Sequence, residues 1–227
     1  MTLTTPKSEQ RELAHELSQV ISGEVRFDDM SRALWSTDAS IYQIKPVGVV
    51  LPRSEEDIIA TLELASKNDV TILPRGGGTS LAGQTVGNSI IVDFSKYMRK
   101  VIDLNLDEGW VKTQPGIILD ELNRTLAPHK VCFAPDPSTS NRGNVGGALG
   151  NNSCGAHSIM WGKTVDNVYE LDVVLSNGNT ASFGQLSDSS LESKMRIEGL
   201  EGSIYRDLLN ISEDNRDEVL ARYPKIQ

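Results

Sequence analysis

The residues best suited to chemistry in this 227-residue chain lie in Pro74-Arg-Gly-Gly-Gly-Thr-Ser-Leu-Ala-Gly83. Three successive glycines let the backbone turn several N–H groups onto one small anionic target, and a phosphate fits such a cradle. A second glycine-rich segment runs from Gly143 to Gly162, and the stretches 76–87 and 143–162 together hold 11 of the 19 glycines. Glycine this concentrated reads as backbone that faces a ligand. The chain has 22 Lys and Arg against 31 Asp and Glu, a formal charge of −9, which argues against a broad nucleic-acid footprint. A bound phosphate must therefore be neutralised locally. Backbone N–H groups can do so, at about 1.5–3 kcal/mol for each hydrogen bond to a charged group, and Arg75 is available to add a formal charge.

Two common nucleotide signatures fail on spacing. After Gly76 and Gly78, the third glycine of a GxGxxG fingerprint would stand at Leu81, and the next apolar run begins too soon for the helix that should follow. Gly162-Lys163-Thr164 resembles the end of a P-loop, but the glycine required five residues earlier is His157. The two cysteines, Cys132 and Cys154, form no CxxC pair and the histidines lack ligand spacing, so no metal site is expected and a reducing compartment is the simpler inference. Met1 to Ser8 is polar and no run approaches the roughly 18 apolar residues of a membrane span. The reading is a cytoplasmic protein, or one at the cytoplasmic face of a membrane.

The elements that must position these loops follow from apolar spacing. Leu13, Leu17, Val20 and Ile21 predict a helix from about Glu9 to Ser22. Val47 to Leu51 reads as a strand, Ser54 as the N-cap of a helix through Ile58, Leu62 and Ala65, and Val70 to Leu73 as the next strand. The first glycine loop thus starts at the carboxyl end of a strand, where open α/β sheets bind ligands, and runs directly to a strand at Ile90 to Phe94. Short strands are expected at Val101 to Leu104 and Trp110 to Gln114, then a helix carrying Ile118, Leu119, Leu122 and Leu126. Val168 to Leu175 and Thr180 to Phe183 form a hairpin about Asn177-Gly178, and the last 25 residues read as helical.

The second segment is also distinctive in its order: Ala134-Pro-Asp-Pro-Ser-Thr-Ser-Asn141, Gly143-Asn-Val-Gly-Gly-Ala-Leu-Gly-Asn-Asn-Ser-Cys-Gly-Ala-His157, then Gly162-Lys-Thr-Val-Asp-Asn-Val168. With Pro74 to Gly83 before it, this resembles the FAD-binding domain of the p-cresol methylhydroxylase and vanillyl-alcohol oxidase superfamily. It is most similar to the FAD-linked oxidases that include D-lactate, glycolate and D-2-hydroxyglutarate dehydrogenases. It also resembles a bacterial class that joins this domain to a downstream iron-sulfur region. The likeness covers about Ser31 to Ser212.

The resemblance implies an α+β fold: an FAD-binding domain of two α/β lobes, a small parallel-type sheet followed by a larger mixed or antiparallel one, with FAD between them. It implies a helical segment at 1–30, a first lobe at 31–98, a second at 99–212, and a connector at 213–227 leading to a cap domain. Pro74, Arg75, Gly76, Gly77, Gly78, Thr79 and Ser80 would wrap the pyrophosphate, with Gly83 and Gln84 completing the loop. Pro137, Ser138 and Asn141 would approach the flavin side, Gly146, Gly147, Asn151, Asn152, Ser153, Gly155 and Ala156 would line the rest, and Val168 would sit near the adenine end.

The implied activity is oxidation of a small D-2-hydroxy acid, with electrons passed to a downstream acceptor. No catalytic side chain is assigned within the chain, because substrate-binding histidines and arginines of such enzymes lie on the cap, and an iron-sulfur cluster would belong only to a C-terminal region beyond residue 227. Some members attach FAD through a histidine, but not at the position of His157, so noncovalent FAD is expected. Asp136, between two prolines, reads as a turn residue, and Cys154 as a small packing residue. Two other readings stay open: a flavin-binding electron-transfer domain with no organic substrate of its own, and an α/β scaffold whose glycines are structural.

Overall fold

A computed structural model of the chain describes residues 7–224. It forms two compact units, one through Tyr169 and one from Glu170 onward. The first unit begins with α1 (Lys7–Val20), β1 (Glu24–Arg26), α2 (Asp29–Leu34), β2 (Gly48–Leu51), α3 (Glu55–Lys67), β3 (Ile72–Arg75) and β4 (Ile90–Asp93). It continues with β5 (Val101–Asn105), β6 (Trp110–Thr113), α4 (Leu119–Leu126), α5 (Val145–Gly150) and α6 (Ser158–Trp161). The second unit holds β7 (Glu170–Val174), β8 (Thr180–Gly184), α7 (Asp188–Met195), α8 (Leu200–Asp214) and α9 (Arg216–Arg222). The fold is mixed α/β with several sheets. After residue 99 the described residues carry two separate antiparallel pairs, β5–β6 and β7–β8, in place of one larger sheet.

The sheet that positions the first glycine loop has the order β1-β2-β4-β3, with β1 antiparallel and the other three strands parallel. β2 and β4 are buried along their whole length, as central strands covered on both faces must be. Their side chains alternate between two clusters. Val50, Ile90 and Val92 pack with Leu13 and Leu17 of α1 and Ala65 of α3, while Val49, Leu51 and Ile91 face Trp35, Leu73 and Tyr97. In a third cluster, Ile117, Leu122 and Leu126 pack against Val101, Leu104 and Val111, seating α4 on the β5–β6 pair.

Local chemistry sets the element ends. Ser54 caps α3 by accepting a hydrogen bond from the Asp57 N–H at 3.4 Å. The Asp57 carboxylate, buried in turn, accepts from Ser22 N at 2.7 Å and Arg53 N at 2.8 Å. Burial opposes its charge, but these N–H bonds and the Ser22 hydroxyl outweigh it and hold the carboxyl below its usual range. Because the Ser22 N–H goes to Asp57, α1 stops at Val20, short of the expected Ser22. β3 starts at Ile72, two residues later than expected, because Asp69 turns into the left-handed region at φ 53° and Val70 N bonds back to Ala65 O, closing α3.

At the edge of the sheet, Glu24 of β1 accepts hydrogen bonds from Lys96, Tyr97 and Arg26. The Lys96 bond, then the Tyr97 bond, lower its pKa to about 2 against a modest desolvation penalty, with Arg26 adding to the effect. A depressed carboxylate pKa contributes stability that is complete above the unfolded value near 4.5 and is lost as the pH falls through 2. Thermal melts from pH 5 to 2 should therefore fall more steeply for the unaltered chain than for Glu24→Gln. Parallel melting curves would remove Glu24 from the acid response.

Candidate functional site

β3 and β4 are parallel neighbours, and the 14 residues 76–89 between them form the first glycine loop, about the shortest length that can join such a pair. The loop leaves the carboxyl end of β3 and turns through Gly78 at φ 63° and Gly83 at φ 72°, conformations that side chains with a β-carbon disfavour. A strap formed by residues 35–42 holds it. Ala39 N donates to Gly78 O at 3.0 Å, the Thr85 hydroxyl donates to Asp38 Oδ2 at 3.0 Å, and the Tyr42 ring lies against Gly83.

Arg75 ties strap and loop together. Its guanidinium donates to the carbonyl oxygens of Trp35 at 3.3 Å, Thr37 at 2.8 Å and Thr85 at 3.1 Å. Burial pulls its pKa down, opposed by the nearby Asp93 and Asp38 carboxylates. The side chain packs beneath the loop, since a β-carbon on Gly78 would come within 2.5 Å of Nη2. The donors the sequence offered to an anion are therefore turned to backbone oxygens. Burial also works against the Asp38 charge, yet hydrogen bonds from Ser40 and Thr85 hold its carboxyl below the ordinary range.

The second glycine segment meets this loop backbone to backbone. A β-carbon on Gly77 would stand 2.2 Å from Arg142 O, and one on Gly76 would stand 2.7 Å from Asn144 Oδ1. Residues 137–143 form a compact turn, in which Ser140 N donates to Pro137 O at 2.9 Å and Gly143 N to Thr139 O at 2.6 Å. The same turn accepts from the start of α4, Leu119 N to Gly143 O and Asp120 N to Ser140 O, both at 3.0 Å. It thereby takes the role of the missing side-chain cap at Ile118. Farther along, Gly155 passes so close to Asp136 that a β-carbon would lie 1.9 Å from its carbonyl oxygen.

Where the two segments meet there is a narrow cleft of about 50 Å3. Gly76, Gly77, Gly78, Thr79, Ser80 and Thr85 form one wall, and Pro137, Thr139, Gly143, Asn144, Gly147, Ala148, Asn151 and Ser153, with Leu119 below, form the other. Nine of the sequence-predicted residues are thus brought together: Gly76 to Ser80, Pro137, Gly147, Asn151 and Ser153. Pro74, Arg75, Gly83, Gln84, Ser138, Asn141, Gly146, Asn152, Gly155, Ala156 and Val168 do not line it. Gln84 instead accepts the Ser80 hydroxyl at 2.8 Å, and Asn152 Oδ1 accepts from Val165 N at 3.0 Å. The sequence reading passed over Thr85, Leu119, Thr139, Gly143, Asn144 and Ala148. Gly143, which opens the second glycine-rich segment, and Asn144, just ahead of the Gly146-Gly147 pair, carried a signal that could have found them.

None of the lining side chains is ionisable. The cleft can bind and orient but holds no general acid or base. His157 stands outside it, exposed, with Nδ1 3.2 Å from Asp136 Oδ2 and its ring 5.0 Å from that of Trp161. Asp136 adopts φ 49° in its turn, and Cys132 and Cys154 are exposed free thiols. Among the described residues, no cluster of three or more His, Cys, Asp or Glu could hold a metal ion, and no helix is long and apolar enough to cross a membrane.

A narrow cleft walled by glycine backbone suits a phosphate. Glycines pressed against a second backbone fit the phosphate portion of a nucleotide cofactor, and the buried Asn144 Oδ1, which has no partner, calls for a donor beside that phosphate. The comparisons with known proteins agree. The model of the FAD binding domain family matches residues 46–184, and the chain belongs to that family.

The chain is 36% identical over 207 residues to the D-2-hydroxyglutarate dehydrogenase of Pseudomonas putida, covering 90% of this chain and 21% of that protein. It is 33% identical over 179 residues to glycolate oxidase subunit GlcD of Bacillus subtilis, covering 77% of this chain and 38% of that one. It therefore spans about a fifth of the length of the hydroxyglutarate dehydrogenase it matches. Among solved structures, alkyldihydroxyacetonephosphate synthase superposes with a TM-score of 0.69 at 25% identity, over 76% of this chain and 35% of that one. p-Cresol methylhydroxylase with substrate bound shares the fold, with a TM-score of 0.62 at 14% identity over 78% of this chain and 36% of that one.

Two glycines separate binding from folding. Gly147 has open space where a β-carbon would go, so Gly147→Ala should leave the melting temperature unchanged or higher while its methyl group, in the cleft wall, weakens FAD binding. Gly77→Ala should lower both, because its methyl group forces the loop from Arg142. Melting curves and flavin fluorescence titrations read the two effects, and equal behaviour of the two variants would reject this division. Arg75→Met should cost about 2–4 kcal/mol in denaturant unfolding, because it strips a half-buried charge-assisted donor from three carbonyls. A loss below about 0.5 kcal/mol would show that the strap does not depend on it.

Proposed function

We propose that this chain is the FAD-binding part of a flavin-dependent dehydrogenase that oxidises a D-2-hydroxy acid, with FAD held noncovalently. The observation that carries this reading is the meeting of Gly76–Ser80 with residues 137–153 at one uncharged cleft. It is supported by 36% identity over 90% of the chain to a D-2-hydroxyglutarate dehydrogenase. In this reading the lobes are residues 31–98 and 99–212, preceded by the helical segment 1–30 and followed by the connector 213–227. The cleft is lined from both lobes, by 76–85 and 119–153.

Gly76, Gly77, Gly78, Thr79 and Ser80 hold the pyrophosphate through backbone N–H groups. Pro74, Arg75, Gly83 and Gln84 carry that loop from behind. Pro137, Gly147, Asn151 and Ser153 form the facing wall. Ser138, Asn141, Gly146, Asn152, Gly155, Ala156 and Val168 are the candidates for contacts with the cofactor beyond the cleft. The chemistry supplied by bound FAD is acceptance of the hydride from the carbon that bears the substrate hydroxyl. With no ionisable group in the cleft, the residues here orient the cofactor and move no proton. Recognition of the substrate carboxylate falls to a cap region outside these residues.

The hydroxy-acid reading is preferred to that of an electron-transfer domain because the relatives are named for 2-hydroxyglutarate and glycolate, both 2-hydroxy acids. Two exposed free thiols suit a reducing, cytoplasmic setting.

Titration of the purified chain should quench flavin fluorescence, and acid precipitation should release all the flavin into the supernatant. The native protein that carries the chain should reduce an electron-accepting dye with D-2-hydroxyglutarate, D-lactate or glycolate, and favour a D over an L enantiomer at least tenfold. The chain alone should show no turnover. Absence of FAD uptake, or flavin left on the precipitate, counts against the cofactor reading; an inert native protein with every hydroxy acid counts against the substrate.

A further inference from the structure

Asn144 is 2% exposed, and its two amide atoms have unequal partners. Nδ2 donates to Gly116 O at 2.5 Å, which fixes the orientation of the group. Oδ1 is buried and accepts no hydrogen bond. It faces the first glycine loop, where a β-carbon on Gly76 would approach it to 2.7 Å and one on Gly77 to 3.3 Å, and Asn144 is part of the cleft wall. A buried carbonyl-type oxygen left without a donor costs about 1–3 kcal/mol, so its retention in a ligand cleft points to a donor brought by the ligand.

The surroundings narrow the identity of that donor. The Gly76–Ser80 loop offers N–H groups to a phosphate, and ionised phosphate oxygens only accept, so they cannot satisfy Oδ1. Ammonium groups are absent from FAD. Its ring N–H groups lie at the two ends of the molecule, many bonds from the pyrophosphate that the loop takes. The sugar hydroxyls, by contrast, lie within a few bonds of the pyrophosphate on either side, and each can donate. Oδ1 stands beside Gly76 and Gly77, at the place where such a hydroxyl meets the loop that takes the phosphate.

We infer that Asn144 Oδ1 accepts a hydrogen bond from a sugar hydroxyl next to the phosphate held by the Gly76–Ser80 loop, so that the cleft reads phosphate and adjoining polyol as one unit. This rests on the FAD reading above and adds a specificity-determining residue that the glycine motifs do not contain. Gly116, through its carbonyl oxygen, acts as a positioning residue by fixing which end of the amide meets the ligand.

The test is a cycle between side chain and ligand, read as FAD affinity by fluorescence quenching in the 227-residue chain. Asn144→Ala should weaken FAD about tenfold. FAD analogues that lack one ribityl or ribose hydroxyl at a time should include one that binds the unaltered chain about tenfold more weakly, and that same analogue should lose nothing further on Asn144→Ala. Competition by inorganic pyrophosphate, which carries no sugar hydroxyl, should change less than twofold between the two proteins. Collapse of the loop would weaken both ligands and would overturn the inference.

Unchanged FAD affinity in a folded Asn144→Ala protein would also overturn it, and would mean that water alone satisfies Oδ1. If the variant does not fold, the analogue series on the unaltered chain decides, since equal affinity for every analogue refutes the hydroxyl contact. Failure of the unaltered chain to take up FAD at all would overturn the parent reading and this inference together. FAD uptake with no coupling to Asn144 would overturn this inference alone.

Discussion

The site depends on the absence of one atom. Arg142 O occupies the space in which Gly77 would carry a β-carbon, 2.2 Å from that position, so the two glycine segments touch through their backbones. Any side chain between them would hold the segments apart and replace backbone N–H groups with its own bulk. The same constraint recurs where Gly155 meets the carbonyl oxygen of Asp136. A chain with a formal charge of −9 can thus offer an anion a wall of neutral dipoles, set close enough together to act in concert.

Charge enters only from behind. Arg75 lies under Gly78 and spends its hydrogen bonds on Trp35, Thr37 and Thr85, so its field passes through the loop and not along a salt bridge to the ligand. Asp93, which accepts the Trp35 indole N–H at 2.6 Å, and Asp38, which accepts from Thr85, compensate part of that charge. The guanidinium is in effect a half-buried brace whose partners are three separate points of the strap and loop. Loss of the brace would free the strap as much as it would change the electrostatics.

Much of this was legible in the sequence because it rests on local rules. Val49, Val50, Ile90, Ile91 and Val92 form apolar runs too short for helices, Ser54 stands where a helix cap should, and Asn177-Gly178 marks the turn of the β7–β8 hairpin, with Gly178 at φ 85°. The glycine runs likewise marked the two segments that meet at the cleft. What stayed hidden depends on where a side chain points after distant segments have met. Arg75 looked like a phosphate ligand because its carbonyl partners are 10 to 40 residues away. Thr139 and Leu119 line the cleft only because the 137–143 turn folds over the start of α4, which no spacing rule foretells. The end of α1 was misplaced for the same reason, since Asp57, 35 residues on, takes the Ser22 N–H.

The strand order has a consequence for how the molecule assembles. β2, α3 and β3 are contiguous in the chain, yet β2 and β3 do not pair; β4 must enter the gap between them and supplies the hydrogen bonds that hold both in the sheet. The loop 76–89 is the tether that delivers β4 to that gap, so its shape is settled only when β4 is in place. The proposed phosphate cradle is therefore a product of sheet completion. A ligand held there has no counterpart in the partly assembled chain, and it draws the population toward the state in which the keystone strand is in place.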